Sequence, residues 1–183
     1  MTETLRSYLL DLQSRIAAAI EQADGRGRFA REPWRKAPGE ALQGEGVTQI
    51  MEGGAVFERA GIGFSHVRGP GLPPSATQRR PELAGAPFEA MGVSLVFHPL
   101  NPYAPTVHMN VRMISAGQSD AKTCWFGGGM DLTPHYGFDE DCASFHTPCA
   151  KSRASTSRSW GTRLPRKKNP PCAIPATWAR SSC

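Results

Sequence analysis

Two neighbouring segments in which polar and apolar residues alternate strictly constrain the fold more than any other feature. Residues 106–114 place one set of side chains on one side of an extended chain and an apolar set on the other, because successive side chains of a strand point to opposite faces. Residues 91–98 repeat the pattern, and a proline-rich turn joins the two segments. The sequence therefore predicts a β-hairpin with one apolar face. The polar residues expected on the other face are Ser94, His98, His108, Asn110 and Arg112.

The polar face of this hairpin has two interpretations. A solvated face of an antiparallel sheet shows the same alternation, so alternation alone does not indicate a site. The residue types favour a binding site, since His, Asn, Arg and Ser have more specific hydrogen-bonding geometry than the Lys, Glu and Thr of an ordinary wet face. The planar fork of Arg112 suits a carboxylate. His108 lies about 6.6 Å from Asn110 at ~3.3 Å per residue, within range of the same ligand.

A glycine triplet, Gly127–Gly129, follows a predicted strand at residues 122–126. Bare glycines let the backbone approach a ligand closely, although no P-loop pattern surrounds them. Asp131 follows the triplet, where its carboxylate could accept a hydrogen bond from a ring N–H or steer a cation. The spacing fits equally well with Asp131 as a turn or capping residue. The sequence leaves both interpretations open.

The rest of the chain predicts further elements. Leu5, Leu9, Leu12, Ile16 and Ile20 form one stripe of a helix over residues 3–23. Residues 25–46 are expected to be loop or short strand, and two short strands are predicted at 55–57 and 62–67. The proline-rich segment 69–87 predicts a connector without a regular helix. A second helix is expected to begin at Asp139.

Charge divides the chain unevenly. Up to residue 146 there are 13 Lys and Arg against 16 acids, a net charge of −3, whereas residues 147–183 carry 8 Lys and Arg and no acid. We therefore predict two parts, 1–146 as the folded part and 147–183 as a Ser-, Pro- and Arg-rich tail that is disordered or out of frame. A tail of charge +8 also allows binding to nucleic acid. That alternative is disfavoured because Trp160 and Trp178 are its only aromatic residues.

No segment approaches the roughly 20 apolar residues that span a bilayer. The N-terminal segment also lacks the apolar run of a signal peptide, because Asp11, Gln13 and Arg15 interrupt it. The expectation is a cytoplasmic protein with no membrane partner.

Several motifs, in the same order along the chain, resemble the oxygen-dependent coproporphyrinogen III oxidase family. They occupy Phe57–Val67, Arg80–Gly85, Phe88–Val96, His98–Tyr103, Asn110–Arg112 and Trp125–Pro134. The resemblance runs from the N-terminal helix to about His146. It implies an α+β fold in which helices flank a large antiparallel sheet, and a homodimer.

The resemblance also implies a function and residue roles. The family decarboxylates two propionates of coproporphyrinogen III oxidatively to vinyl groups, giving protoporphyrinogen IX in heme biosynthesis. Molecular oxygen is the co-substrate and no organic cofactor is expected. Carried over, the implied substrate contacts are Ser94, Asn110, Val111 and Arg112, the proton donor is His108, and Asp131 is a carboxylate that steers the substrate. The implied divalent-metal ligands are His98, His108 and His146; family members generally need no metal, so the metal stays an open alternative.

The resemblance ends after His146, where the family continues with further strands and much of its dimer interface. The expectation is therefore a frameshifted or truncated product, with an exposed sheet edge, poor solubility and no activity. A catalytically inactive fragment that still binds porphyrinogen is the alternative.

Overall fold

The computed structural model describes residues 2–73, 77–78, 80–117, 122–155, 172–173 and 179–180. A long helix comes first, six long strands follow, and a second helix comes after them. The elements are α1 (Thr2–Asp24), β1 (Ala30–Arg35), β2 (Gln43–Glu52), β3 (Phe57–Gly69), a 3-10 helix (Pro81–Leu83), β4 (Phe88–Pro99), β5 (Thr106–Ala116), β6 (Thr123–Thr133), α2 (Asp139–Ser155), β7 (Cys172–Ala173) and β8 (Ala179–Arg180).

The six long strands form one antiparallel sheet in the order in which they occur along the chain. Each strand pairs with the next, from β1 with β2 through to β5 with β6. The two-residue strands β7 and β8 both pair with β6, at Asp131–Leu132 and at Trp125–Phe126 respectively. This arrangement confirms the expected α+β fold.

The β4–β5 hairpin is closed by a local turn at its tip. The side-chain oxygen of Asn101 accepts a hydrogen bond from the Tyr103 N–H at 3.0 Å, and its carbonyl accepts one from the Ala104 N–H at 3.0 Å. An Asn that bonds the backbone two residues later is a frequent way to start a turn. The turn fixes which residues of β4 and β5 stand opposite each other.

Helix α1 lies across one face of the sheet, mainly over β3 and β4. Its apolar stripe packs on buried side chains that include Ile62, Phe64 and Val93. Gln13 is 1% exposed and donates its side-chain N–H groups to the carbonyls of Val47 at 2.8 Å and Ile62 at 2.9 Å. Because an unsatisfied buried amide is costly, these bonds fix the helix over β2 and β3.

The end of α1 is tied to the β2–β3 turn by the buried carboxylate of Asp24. It accepts hydrogen bonds from five backbone N–H groups, those of Arg26, Gly27, Ala55, Val56 and Phe57. These bonds, the one from Phe57 first, hold the pKa of Asp24 far below its usual value because they stabilise the ionised form.

Alternation along the strands gives the sheet two different faces. The core face, which α1 covers in part, carries Ala60, Ile62, Phe64, Met91, Val93, Leu95, Phe97 and Met113. The open face carries Gly61, Gly63 and Ser65 of β3, Gly92, Ser94 and Val96 of β4, His108, Asn110 and Arg112 of β5, and Gly127, Gly129 and Asp131 of β6.

The segment between β3 and β4 covers one end of the open face. Leu72 and Leu83 of this segment join Ile114 and Trp125 in a separate apolar cluster. The guanidinium of Arg80 lies 4.8 Å from the centre of the Trp125 ring, a cation–π contact. The connector therefore builds an end wall for the open face.

Two expectations about strands were wrong. The strand predicted at 55–57 does not form, because residues 55–56 lie in the β2–β3 turn and only Phe57 belongs to a strand. The strand predicted at 62–67 is part of a longer β3 that already includes residues 58–61, so these residues do not separate two strands. The triplet Gly127–Gly129 and Asp131 lie inside β6 and not in a turn after it. In both cases hydrogen bonds to a neighbouring strand hold glycine in an extended conformation that local sequence does not favour.

Helix α2 runs through the predicted boundary between residues 146 and 147. Of the predicted tail, residues 156–171, 174–178 and 181–183 lie outside the described residues. The division at 146, and disorder or a frame change beyond it, stay predictions. In the part of the chain that the structure describes, no helix is both long and apolar enough to cross a bilayer.

Candidate active site

Strand register brings the polar residues of the hairpin together on the open face. Ser94 lies directly opposite Asn110, and Gly92 lies opposite Arg112. On the other side of β5, His108 lies directly opposite Asp131. The predicted convergence is confirmed for Ser94, His108, Asn110 and Arg112 but not for His98, and β6 adds a carboxylate to the group.

His108 and Asp131 form a hydrogen-bonded pair. His108 Nδ1 is 2.9 Å from Asp131 Oδ2. An ionised carboxylate only accepts hydrogen bonds, so Nδ1 carries the proton and donates it. In the neutral ring this leaves the Nε2 lone pair for a ligand. The side chains are 40% and 31% exposed, which makes the pair accessible from the open face.

Asn110 holds the guanidinium of Arg112. The Asn110 side-chain oxygen accepts hydrogen bonds from Arg112 Nε at 3.2 Å and Nη2 at 2.8 Å. Arg112 is exposed, and no carboxylate pairs with it among the described residues. Its remaining N–H groups can therefore bind a ligand carboxylate, in an orientation that Asn110 fixes.

These side chains border a cleft of about 240 Å³ on the open face. The open-face residues that line it include Ser65, Gly92, Ser94, His108, Asn110 and Arg112. His108 and Arg112 are four residues apart on one strand, about 13 Å at ~3.3 Å per residue. A ligand that meets both groups must therefore be broad, or must carry its acidic groups on arms.

Three of the residues named from the family resemblance lie elsewhere. The side chain of Val111 packs on the core face, so only its backbone borders the cleft. His98 is exposed beyond Val96, with Nδ1 3.1 Å from Thr106 Oγ1. His146 lies on α2, with its ring 5.7 Å from that of Phe145.

The histidines do not form a metal site among the described residues, where no group of three or more His, Cys, Asp or Glu side chains could hold a metal ion. The donors of His98, His108 and His146 therefore do not fit a bound metal, and no chemistry is derived through one. The pairing of Asp131 with His108 was missed by sequence reasoning. Its signal is the strand register, which local residue patterns do not contain.

A second histidine–carboxylate pair lies on the other face of the sheet. His66 Nε2 is 2.7 Å from Glu89 Oε1, and Arg68 donates two hydrogen bonds to the same oxygen at 3.0 and 2.8 Å. Burial raises the pKa of Glu89, but the hydrogen bonds from His66 and Arg68 outweigh it and hold the pKa below its usual value. His66 is only 9% exposed, and together with Arg68 it borders a second cleft of about 540 Å³ that is lined mainly by charged residues of α1 and β1–β3.

A family model described as coproporphyrinogen III oxidase matches residues 4–165 of the 183-residue chain. The match contains α1 from residue 4 onward, the whole six-stranded part of the sheet and every candidate site residue. It also continues past the boundary predicted at residue 146.

Proposed function

The chain belongs to the coproporphyrinogen III oxidase family, and from that premise we propose that its open face binds coproporphyrinogen III and converts propionate side chains to vinyl groups with molecular oxygen. Family membership supports a role in heme biosynthesis. The observation that carries the proposal is the His108–Asp131 pair on the same open face as the Arg112–Asn110 pair.

Arg112 provides the carboxylate site in this proposal. A propionate carries two oxygens that match the parallel N–H groups of a guanidinium. Asn110 already occupies one edge of that group and holds it against the sheet. Ser94 lies opposite Asn110 and offers a hydroxyl to the same ligand. The pocket thereby orients a propionate side chain of the substrate before the reaction takes place.

The reaction balances with oxygen as the electron acceptor. A hydride equivalent leaves the β-carbon of the propionate for O₂, and the bond to the carboxylate breaks to release CO₂. The electron pair of that bond becomes the second bond of the vinyl group. Oxygen takes up two electrons and one hydrogen, giving HOO⁻, and one further proton completes H₂O₂.

His108 supplies that proton in the proposed mechanism. Asp131 accepts the Nδ1–H hydrogen bond, which orients the ring. Nε2 is then the position from which the proton is delivered. Asp131 acts through the histidine and is a positioning residue.

We propose O₂ as the co-substrate, no organic cofactor, coproporphyrinogen III and a second copy of the chain as partners, and a cytoplasmic location. These proposals rest on the family and on the residues of the open face.

The test is turnover of coproporphyrinogen III by the purified chain, with O₂ uptake, CO₂ release and vinyl formation followed together. The expected result is that one O₂ is consumed and one CO₂ is released for each vinyl group formed. His108→Ala should lower the rate by about 10²–10⁴-fold, the range for loss of a general acid. The control is His135→Ala, an exposed histidine in the turn after β6.

Equal rates for the wild type and His108→Ala would contradict the assigned role. Binding of the substrate without O₂ uptake would instead show the inactive porphyrinogen-binding fragment. Oxidation in which the amount of O₂ consumed differs from the amount of CO₂ released would contradict the proposed oxidative decarboxylation.

A further inference from the structure

Two glycines of β3 have no structural reason to be glycine. A Cβ at Gly61 would meet only Val96 Cγ1 at 3.9 Å, and at Gly63 only the Ser94 carbonyl oxygen at 4.0 Å. Both distances are ordinary contacts or longer, and neither residue has a positive φ. Glycine inside a strand weakens it relative to alanine. The space above these residues on the open face is therefore left empty at a cost to stability.

Other glycines of the same face differ from these two. A Cβ at Gly92 would come within 2.5 Å of the Val111 carbonyl oxygen, so the neighbouring strand excludes a side chain there. A Cβ at Gly46 would overlap the ring of Trp34, which covers that position. Gly92 and Gly46 are explained by packing, whereas Gly61 and Gly63 are not.

Gly61 and Gly63 belong to a low floor on two neighbouring strands. Ser65 continues the row on β3. The adjacent row on β4 is Val96, Ser94 and Gly92, and the Val96 side chain borders the floor beside Gly61. The floor is about 13 Å long from Gly61 to Ser65, with strands ~4.8 Å apart. Its long side is bordered by the side chains of β5, namely His108, Asn110 and Arg112. Its end near Ser65 approaches the wall built by the β3–β4 connector.

We infer that Gly61 and Gly63 determine specificity for a macrocycle, by letting the broad face of a tetrapyrrole lie against the β3–β4 backbone while its acidic arms meet β5. The inference rests on the proposed function. It adds that the floor formed by β3 and β4 distinguishes a macrocycle from a single pyrrole. A side chain on the floor would lift the macrocycle away from Arg112. A single pyrrole would still reach Arg112 from the side of β5.

The test compares two probes on the full chain. Coproporphyrin III, the stable oxidised macrocycle, and a monopyrrole that carries one propionate are titrated by fluorescence and by calorimetry. Gly63→Ala and Gly61→Ala should each raise the Kd for coproporphyrin III about tenfold or more, because the new side chain enters space that the ligand occupies. Gly63→Val should raise the Kd further. Monopyrrole binding should not change. The melting temperature should stay the same or rise slightly, because the new Cβ meets open space.

Gly137→Ala is the control, since a Cβ there would meet nothing within 4 Å and Gly137 lies in the loop after β6, outside the floor and its end wall. Unchanged coproporphyrin III binding by the two β3 variants would overturn the inference and leave the proposed function intact. A lowered melting temperature in these variants would also overturn it, because the glycines would then have a structural role. A wild type that binds neither probe would overturn both the inference and the proposed function.

Discussion

The two faces of the sheet are built from alternate residues of the same strands, yet they are organised by different requirements. On the core face Ile62, Phe64 and Val93 are at most 1% exposed and pack under α1. On the open face the intervening positions near the candidate site are mostly glycine or polar, with Val96 as an exception, and Ser94 and Arg112 are exposed. The comparison teaches that burial on one side is enough to hold a strand in place. The other side can then carry residues that contribute little to stability.

The two histidine–carboxylate pairs repeat this difference. On the core face His66 and Glu89 are nearly enclosed, and Arg68 completes the pair. On the open face His108 and Asp131 have similar geometry but are 40% and 31% exposed, and His108 borders the cleft. The same pair of residue types is therefore nearly enclosed on one face and accessible on the other.

The strongest test of the contrast is removal of a large core side chain. Phe64→Ala should lower the free energy of unfolding by about 3–5 kcal/mol, since the mutation removes buried apolar contacts and leaves a cavity. The matched open-face change, Val96→Ala, should cost about 1 kcal/mol or less because Val96 is only half-buried. Urea denaturation followed by circular dichroism measures both. Equal losses would show that the open face also holds the fold together.

Removal of the open-face cation should act on binding and not on stability. Arg112→Ala should weaken the binding of coproporphyrin III by about 1.5–3 kcal/mol, the range for hydrogen bonds to a charged group. This corresponds to a rise of roughly 10- to 150-fold in Kd. Arg112→Lys should recover only part of this, because lysine lacks the planar fork. Arg15→Ala, an exposed change on α1, is the control for both readouts. A large fall in the melting temperature of Arg112→Ala would contradict the division between the faces.

The smallest expected effect concerns acid stability and the core-face pair. The pKa of Glu89 is lowered in the folded chain, so its stabilisation is complete above the usual pKa of 4.5 and is lost as the pH falls through the lower folded value. Glu89→Gln should cost about 1 kcal/mol at pH 7, a value reduced by partial contact with solvent. The difference from the wild type should shrink below pH 4.5. Urea midpoints at pH 7 and pH 3.5 measure it, and a difference that grew in acid would refute the assignment.

Much of the framework was predictable from local patterns. The helix expected at residues 3–23 is α1 at Thr2–Asp24, and the hairpin with Ser94, Asn110 and Arg112 on one face is confirmed. Both follow from periodicity, which each residue and its near neighbours determine. Glycine was the main source of error. It was read as the end of a strand at Gly61 and Gly127, where pairing with neighbouring strands keeps the chain extended.

The sequence by itself determined which side chains share a face, because alternation along a strand is a local property. It also determined the family, through motifs that keep their order along the chain. Only the tertiary structure decided which residues stand opposite each other. His108 meets Asp131 across 23 positions of sequence, and Gly63 lies beside Ser94, because strand pairing sets the register. The tertiary structure also decided which face is accessible, since α1 covers one side of β3 and β4 and leaves a cleft on the other.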